Sequence, residues 1–474
     1  MSGPELPVLA PEERVLSTLE SDGTRRWLSP RLSTGRFWRR RRVVAYALIA
    51  IYALLPFIKV GGRPALQLDL WNAKFSVFGL VITPTELELA ALLGLVIVLA
   101  VFFATAIFGR VWCGWACPQT VYMEYVFRPI ERLFTGTTGK GGKPRQSVAP
   151  WRSVAMYAVM TLVCWHLANT FLAYFVGAEA LHQWIWTAPP WEHPGAFALV
   201  FGVTALMMFD FCYWREQLCI IGCPYGRFQS VLLDRSSLVV GYDSGRGEPR
   251  GRGRERNGKG DCVDCGMCVD VCPTGIDIRD GLQMECVNCT QCIDACDAVM
   301  DKVGRPRGLI RYSSQEGLDG KPTKIVRPRV LAYGGVICAV SVLLISMVVG
   351  RSSFDVTVMR GLGRAYFVAD SGDVQNLVQV KVTNRLDEPQ AFKVEGVFPA
   401  GMQIIGDTEI NLEPLADATE PLQLVVNPSA FGDKTIVKAV IRVSNESGES
   451  SEYTYTLYGP IPGEQAEADD GGDG

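Results

Sequence analysis

The chain of 474 residues predicts a multidomain membrane protein with five transmembrane α-helices, a cysteine-rich domain inserted ahead of the fifth helix, and a C-terminal β-sandwich. Three observations carry this prediction. Apolar runs of membrane-spanning length recur five times, the fifteen cysteines all fall between Cys113 and Cys338, and the segment after Arg351 alternates apolar and polar residues between turn signals. The length suits about three units of ~150 residues each, and 48% hydrophobic residues is high for a soluble protein.

The apolar runs are 43–60, 87–108, 154–176, 196–211 and 330–349. Each is close to the ~20 residues with which a helix crosses ~30 Å of hydrocarbon. Lys and Arg set the orientation. Arg36, Arg39, Arg40, Arg41 and Arg42 precede the first run and place the N-terminus in the cytoplasm. Arg110, Arg128, Arg132, Lys140, Lys143 and Arg145 mark the connection between the second and third runs as inner, while AEALHQWIWTAPPWEHP, between the third and fourth, has neither Lys nor Arg. The connection between the first two runs has only Lys59, Arg63 and Lys74. Five crossings from an inside start leave the residues after Arg351 outside. The first run begins at Val43 without a small-residue cleavage site, so it reads as an anchor rather than a removed signal peptide.

The boundaries that follow are a cytoplasmic N-terminal tail (1–42), a membrane domain (43–240), a cytoplasmic cysteine-rich domain with a Gly/Arg-rich linker (241–326), the fifth span (327–350), an outer domain (351–460) and an acidic tail (461–474). The first ~35 residues and the acidic tail are expected to be disordered.

Cysteine placement agrees with that topology. Apart from Cys164 and Cys338, which lie inside spans, the cysteines cluster at the inner face or in the inner loop, and the outer domain has none. A disulfide framework would show the opposite bias, so these thiols read as metal ligands.

The strongest motif is DCVDCGMCVDVCPTGIDI, with Cys262, Cys265, Cys268 and Cys272 at C-x2-C-x2-C-x3-C-P spacing. ECVNCTQCIDACD repeats the spacing with Cys286, Cys289, Cys292 and Cys296. Three thiolates at i, i+3 and i+6 hold three corners of an iron–sulfur cube, and the remote cysteine of each run closes the other cube. The expected ligand sets for two [4Fe-4S] clusters are therefore Cys262, Cys265, Cys268 and Cys296 for one, and Cys286, Cys289, Cys292 and Cys272 for the other. Zinc knuckles would show paired C-x2-C ligands rather than triplets trailed by a lone cysteine. The section 261–303 resembles a bacterial two-cluster ferredoxin, except that Asp297 stands where the second run would have its proline, which bears on the geometry of that turn. The preceding GYDSGRGEPRGRGRERNGKG reads as a flexible, solvated linker.

A second pattern is repeated in the membrane domain. VWCGWACPQT contains Cys113, Cys117 and Pro118, and QLCIIGCPYGRF contains Cys219, Cys223 and Pro224 at an offset of 106 residues. Each copy follows an even-numbered span and an arginine, Arg110 or Arg215, which suggests a duplicated span-plus-turn unit. Cysteines at i and i+4 project to one side of a helix. The proline suits the first position of a following helix, whose positive end would favour the second thiolate. The four thiols could bind copper, cycle through a disulfide, or hold a third cluster.

Weaker candidates are Cys164, His166, Met207, Met208 and Cys212 as a soft-metal path, and His182 and His193 beside the outer tryptophans as a metal or quinone contact. Asp210 is an intramembrane acid that could serve function or pair with Arg215. QNLVQVKVTN, QAFKVEGV, PLQLVVNP, TIVKAVIRVSN and EYTYTLY predict an immunoglobulin-like sandwich with no Cys or His, suited to docking.

Taken together, these parts resemble the CcoG/FixG/RdxA family of accessory proteins of cbb3-type cytochrome oxidase. C-x3-C-P turns with a ferredoxin domain also occur in quinol-oxidising subunits similar to NapH and NosR, which typically lack the terminal sandwich. The resemblance implies a cupric reductase that turns Cu(II) into Cu(I) for the oxidase, with Cys113, Cys117, Cys219 and Cys223 as its reducing, copper-binding thiols. The implied partners are the bilayer, copper, the oxidase or its assembly factors, a cytoplasmic electron donor and a second copy of the chain, with no nucleic acid. The alternatives are a quinol-oxidising subunit feeding a periplasmic reductase, and a non-enzymatic assembly scaffold.

Overall fold

A computed structural model describes residues 16–460 apart from 21–23, 71–73, 137–147, 188, 190 and 253–257. Lys140, Lys143, Arg145 and the acidic tail lie outside the described residues. The chain divides into two compact units, Met1–Ile345 and Ser346–Gly474.

Among the described residues, four helices are long and apolar enough to cross a membrane: Leu87–Phe108, Pro150–Val176, Pro194–Trp214 and Pro328–Val349. Each begins at or near a residue that starts a helix cheaply. Proline is the first residue of three of them, and Leu87–Phe108 follows a capping box between Thr83 and Glu86. The first apolar run differs. Its helix, Arg36–Leu54, spends two turns on arginines and leaves 43–54 as its apolar part, shorter than a full crossing requires. The chain beyond it is not a plain loop. It forms a small antiparallel sheet of Leu66–Asp69, Lys74–Val77 and Leu80–Ile82.

The described part of the N-terminal tail is ordered against the cysteine-rich domain, contrary to the disorder expected. Leu28 is 3% exposed, and the Arg31 amide donates to the Asp270 carbonyl at 2.8 Å. Asp294 then caps the helix that follows, accepting from the Phe37 and Trp38 amides at 3.0 and 2.7 Å.

The Gly/Arg-rich stretch also departs from the expected flexible linker where it is described. Val239–Tyr242 pairs antiparallel with Ile310–Ser313, so the two ends of the cysteine-rich domain are stitched together. Asp243 caps the short helix Ser244–Gly247, and Arg246 bonds Asp261 at 2.6 Å. The glycines serve close packing here: a Cβ on Gly247 would meet the Tyr242 hydroxyl, and one on Gly260 would meet the backbone of Gly247.

The second unit is the sandwich that the alternating pattern predicts. One sheet runs Gln403–Ile405, Asp417–Val426, Val374–Asn384, Phe354–Arg360; the other runs Glu409–Leu412, Gln390–Phe398, Ile436–Asn445, Ser450–Tyr458. All pairings are antiparallel. Val378, Val380 and Val382, beside Leu422 and Leu424 of the same sheet, pack with Ile441 and Val443 of the other sheet in a core from which water is excluded. Asn376 clasps the two sheets, exchanging hydrogen bonds with the Tyr458 backbone at 2.8 and 2.9 Å. Leu422→Ala should cost this unit about 2–5 kcal/mol. A urea midpoint shift of that size on the second unit checks it.

Candidate functional site

Two cavities organise the cysteine-rich domain. Cys262, Cys265, Cys268 and Cys296 line one, and Cys272, Cys286, Cys289 and Cys292 line the other, with Cys268 between them. The two sets gather as the motif spacing predicts. What curls each triplet around its cavity is a repeated backbone device. Asp264 and Gly266 take positive φ of 50° and 70°, and Asn288 and Thr290 take 52° and 63° at the matching places of the second triplet. Thr290 is β-branched and ill suited to that region, so surrounding packing must hold it there. Arg279 supports the first loop, bonding Asp264 at 2.7 Å and Asp277 at 2.5 Å.

The donor sets fit metal clusters. Burial pushes the Cys268, Cys289 and Cys296 thiols up to about 12 and Cys286 to about 11, so without a cation these buried sulfurs would stay protonated. Four such sulfurs around one cavity suit iron–sulfur ligation, which deprotonates each thiol outright.

Asp297 settles into the second turn rather than distorting it. Its carboxylate accepts the Gly308 amide at 2.9 Å, and the helix Gln291–Lys302 runs through Cys292 and Cys296 without a break. The equivalent helix of the first run, Met267–Asp270, stops ahead of Pro273.

The C-x3-C-P turns share one construction. Each span ends in a residue of positive φ, Gly109 at 62° or Arg215 at 54°. A π-helical turn follows, Trp112–Ala116 or Leu218–Gly222. The second cysteine then caps a helix that starts at the proline, Pro118–Tyr122 or Pro224–Leu232. The 106-residue offset therefore equates Arg215 with Gly109 and Arg110 with Glu216; the two arginines are not equivalent, as the flanking sequence had implied.

The four thiols converge. Cys219 lies close enough to Cys113, Cys117 and Cys223 for each charge to disfavour its own. Burial pushes Cys113 up to about 12 against the pull of Arg110, and it raises Cys117 and Cys219 as well. The helix start at Pro118 does not outweigh that burial, contrary to the expected thiolate at Cys117. Cys113 Sγ lies 3.7 Å from Gln229 Oε1.

The two cysteine systems are in contact. A Cβ on Gly114 would fall 2.5 Å from the Asn288 carbonyl oxygen and 2.7 Å from that of Val287, so the first turn packs backbone to backbone on the second triplet. Two buried arginines tie the same seam. Arg41 donates to the Gly114 and Cys289 carbonyls at 2.8 and 2.7 Å, and Arg110 donates to the Cys286 and Gly226 carbonyls at 2.7 and 2.9 Å. Trp115 donates to Tyr312, whose hydroxyl donates to the Asn288 carbonyl at 3.2 Å. Cys219 shares a small cavity with Thr274 and Val287. Sequence reasoning missed these positioning residues; the glycine inside the first C-x3-C was the available signal.

The weaker candidates part company. Cys164, Met207, Met208 and Cys212 join one buried cluster, with Cys212 Sγ 3.7 Å from Met160 Sδ, while His166 is exposed outside it. His193 stacks on Trp184 at 4.0 Å, and His182 lies beside Trp186. Asp210 does not pair with Arg215. It accepts from Gln119 at 3.1 Å, and Arg215 pairs with Glu131 at 2.9 Å.

Comparisons with known proteins bear on both units. Residues 90–136 match a 4Fe-4S binding domain, 214–315 a 4Fe-4S dicluster domain, and 344–460 the IG-like fold at the C-terminal of FixG. The chain is 33% identical to Protein RdxA of Cereibacter sphaeroides, covering 85% of this chain and 90% of that protein. It is 32% identical to nitrogen fixation protein FixG of Rhizobium meliloti, covering 85% and 86%. A crystal structure of a FixG-related protein from Vibrio parahaemolyticus aligns over 23% of this chain and 100% of that one, at 17% identity and a TM-score of 0.22.

Gly114→Ala should lower stability by about 1–3 kcal/mol, because backbone carbonyls cannot yield to the new Cβ. It should also alter the low-temperature EPR signal of the cluster beside Val287. Gly335→Ala, which meets open space, should change neither.

Proposed function

The chain belongs to the FixG/RdxA family of iron–sulfur electron-transfer proteins, and we propose that it is a membrane-bound cupric reductase supplying Cu(I) for assembly of a cbb3-type cytochrome oxidase. The observation that carries this reading is the backbone contact of Gly114 with Val287 and Asn288, which sets the first C-x3-C-P turn against the loop of the second triplet. Cys262, Cys265, Cys268 and Cys296 would hold one [4Fe-4S] cluster, and Cys286, Cys289, Cys292 and Cys272 the other. Bound there, such clusters supply electrons singly.

Cys113, Cys117, Cys219 and Cys223 receive the copper. The substrate step takes one electron, Cu2+ + e− → Cu+, drawn from a cytoplasmic donor. Soft sulfur donors hold the product in preference to hard cations. Binding the ion releases thiol protons, and the Arg110 guanidinium beside Cys113 eases that loss. Gln229 and the Gly226 carbonyl bonded by Arg110 fix the second turn against the first. Replacing all four cysteines by alanine should abolish Cu(I) formation by the reduced protein, followed with a Cu(I) chelator, while iron–sulfur absorbance stays. Unchanged turnover would refute the assignment.

A second reading has its own support, since residues 90–136, which contain Cys113 and Cys117, match a 4Fe-4S binding domain. In that reading the four thiols hold a third cluster. Iron content separates the two, at about eight atoms per chain for two cubanes and about twelve for three.

The proposed topology has five spans from a cytoplasmic N-terminus, with Arg36–Leu54 as the first and the sandwich in the periplasm, where it docks the oxidase or its assembly factors. An alkaline phosphatase fusion at residue 460 should be active and one at residue 320 inactive. Equal activity at both would place the sandwich and the cysteine-rich domain on one side.

A further inference from the structure

A cavity of about 600 Å³ in the first unit lies outside both cysteine-lined cavities. Its walls come chiefly from Arg36–Leu54, Pro118–Tyr122 and the span Pro194–Trp214, and they are overwhelmingly apolar. Tyr52, Phe211 and Trp214 give it aromatic faces. Leu206 and Phe209 belong to the same lining yet are 66% and 48% exposed, which opens the cavity sideways on the surface that the spans present to lipid.

Its polar end is small and specific. Asp210 and Gln119 both line it, joined by the 3.1 Å hydrogen bond from Gln119 Nε2 to Asp210 Oδ1. The same nitrogen also donates to the Arg215 carbonyl at 3.1 Å, so both amide hydrogens are engaged and acceptor oxygens are what remain for an occupant. Tyr122, another lining residue, carries a buried hydroxyl without a hydrogen-bond partner among the described residues. An intramembrane carboxylate is expensive and points to function. The floor of the cavity belongs to the cysteine turns: Ala116 and Pro118 flank Cys117, and Leu218 precedes Cys219.

We propose that this cavity binds a lipid-soluble quinol, its ring among the aromatic side chains and one hydroxyl donating to the Asp210–Gln119 pair. The chemistry selects against an anionic headgroup such as that of phosphatidylglycerol, which is rich in acceptors and would meet a carboxylate. An acyl chain alone leaves the polar pair without a role. The volume suits a substituted ring with the start of an isoprenoid tail. The proposal rests on the electron-transfer reading of the chain and not on copper.

The test titrates the detergent-solubilised, iron-replete full chain with decylubiquinol under anaerobic conditions and reads binding from tryptophan quenching. Saturable quenching is expected. Asp210→Asn should weaken it about tenfold or more, because a donor replaces the acceptor, and Leu206→Trp, which fills the cavity, should abolish it. Both variants should keep the iron content and absorbance of the parent. Affinity unchanged in both variants, or quinol displaced equally well by phosphatidylglycerol, would overturn the proposal. Either outcome leaves Cu(II) reduction by the chemically reduced protein intact, so this reading and the copper reading fail separately.

Discussion

The seam between the first cysteine turn and the second triplet is the constraint on which the rest of the first unit depends. Gly114 brings two backbones so close that no side chain fits between them. Arg41 and Arg110, 1% and 6% exposed, supply the hydrogen bonds. A buried guanidinium is costly unless its donors are met, so a register that loses these carbonyls is heavily penalised. Arginine suits the task because its planar fork reaches acceptors on two chain segments at once. The cysteine-rich domain is therefore fixed to the membrane turns rather than tethered by a linker, and the proposed electron transfer between the two thiol systems would need no domain motion.

The duplicated unit explains why two turns converge while only one docks backbone to backbone. Gly109 and Arg215 hold the same unusual backbone, and both turns pass through a π-helical stretch to a cysteine-capped helix. Their middles have diverged. Gly114 corresponds to Ile220, whose side chain forbids a backbone contact of the same kind, and Arg110 corresponds to Glu216. Glu216 instead enters a buried network with Arg128 and Arg215, which Glu131 and Glu124 complete. Ion pairing anchors one copy and carbonyl contact the other.

Much of this was legible in the sequence because spacing alone dictates it. The triplets, their remote partner cysteines and the two proline-following turns are read directly, as is the strand alternation of the second unit, in which Val378, Val380 and Val382 point inward. What was illegible depends on long-range partners. Arg41 reads as one of a run of positive-inside charges, yet it is buried against Cys289, 248 residues away. The Gly/Arg-rich stretch has the composition of a linker, and only its neighbours Tyr242 and Asp261 reveal that its glycines and arginines are packed. Asp210 and Arg215 are close in sequence, but each finds its partner on the segment after the first turn.

The departure at Asp297 shows how a local exception can carry a global connection. A proline there would remove an amide and strike the carbonyl of Ile293, ending the helix Gln291–Lys302 just past Cys296. With aspartate the helix continues, and it is this helix that carries Asp294 to the start of Arg36–Leu54. The first run, which keeps its proline, has only the short helix ending at Asp270, and Asp270 meets the N-terminal segment through its carbonyl instead. Asp270 and Asp294 occupy equivalent places in the two cysteine runs. The N-terminal segment thus touches both halves of the repeat, by a backbone acceptor on the half with the proline and a side-chain cap on the half without it. That cap, together with Arg41 one helical turn further on, aligns the first helix with the wall of the cavity that holds Asp210.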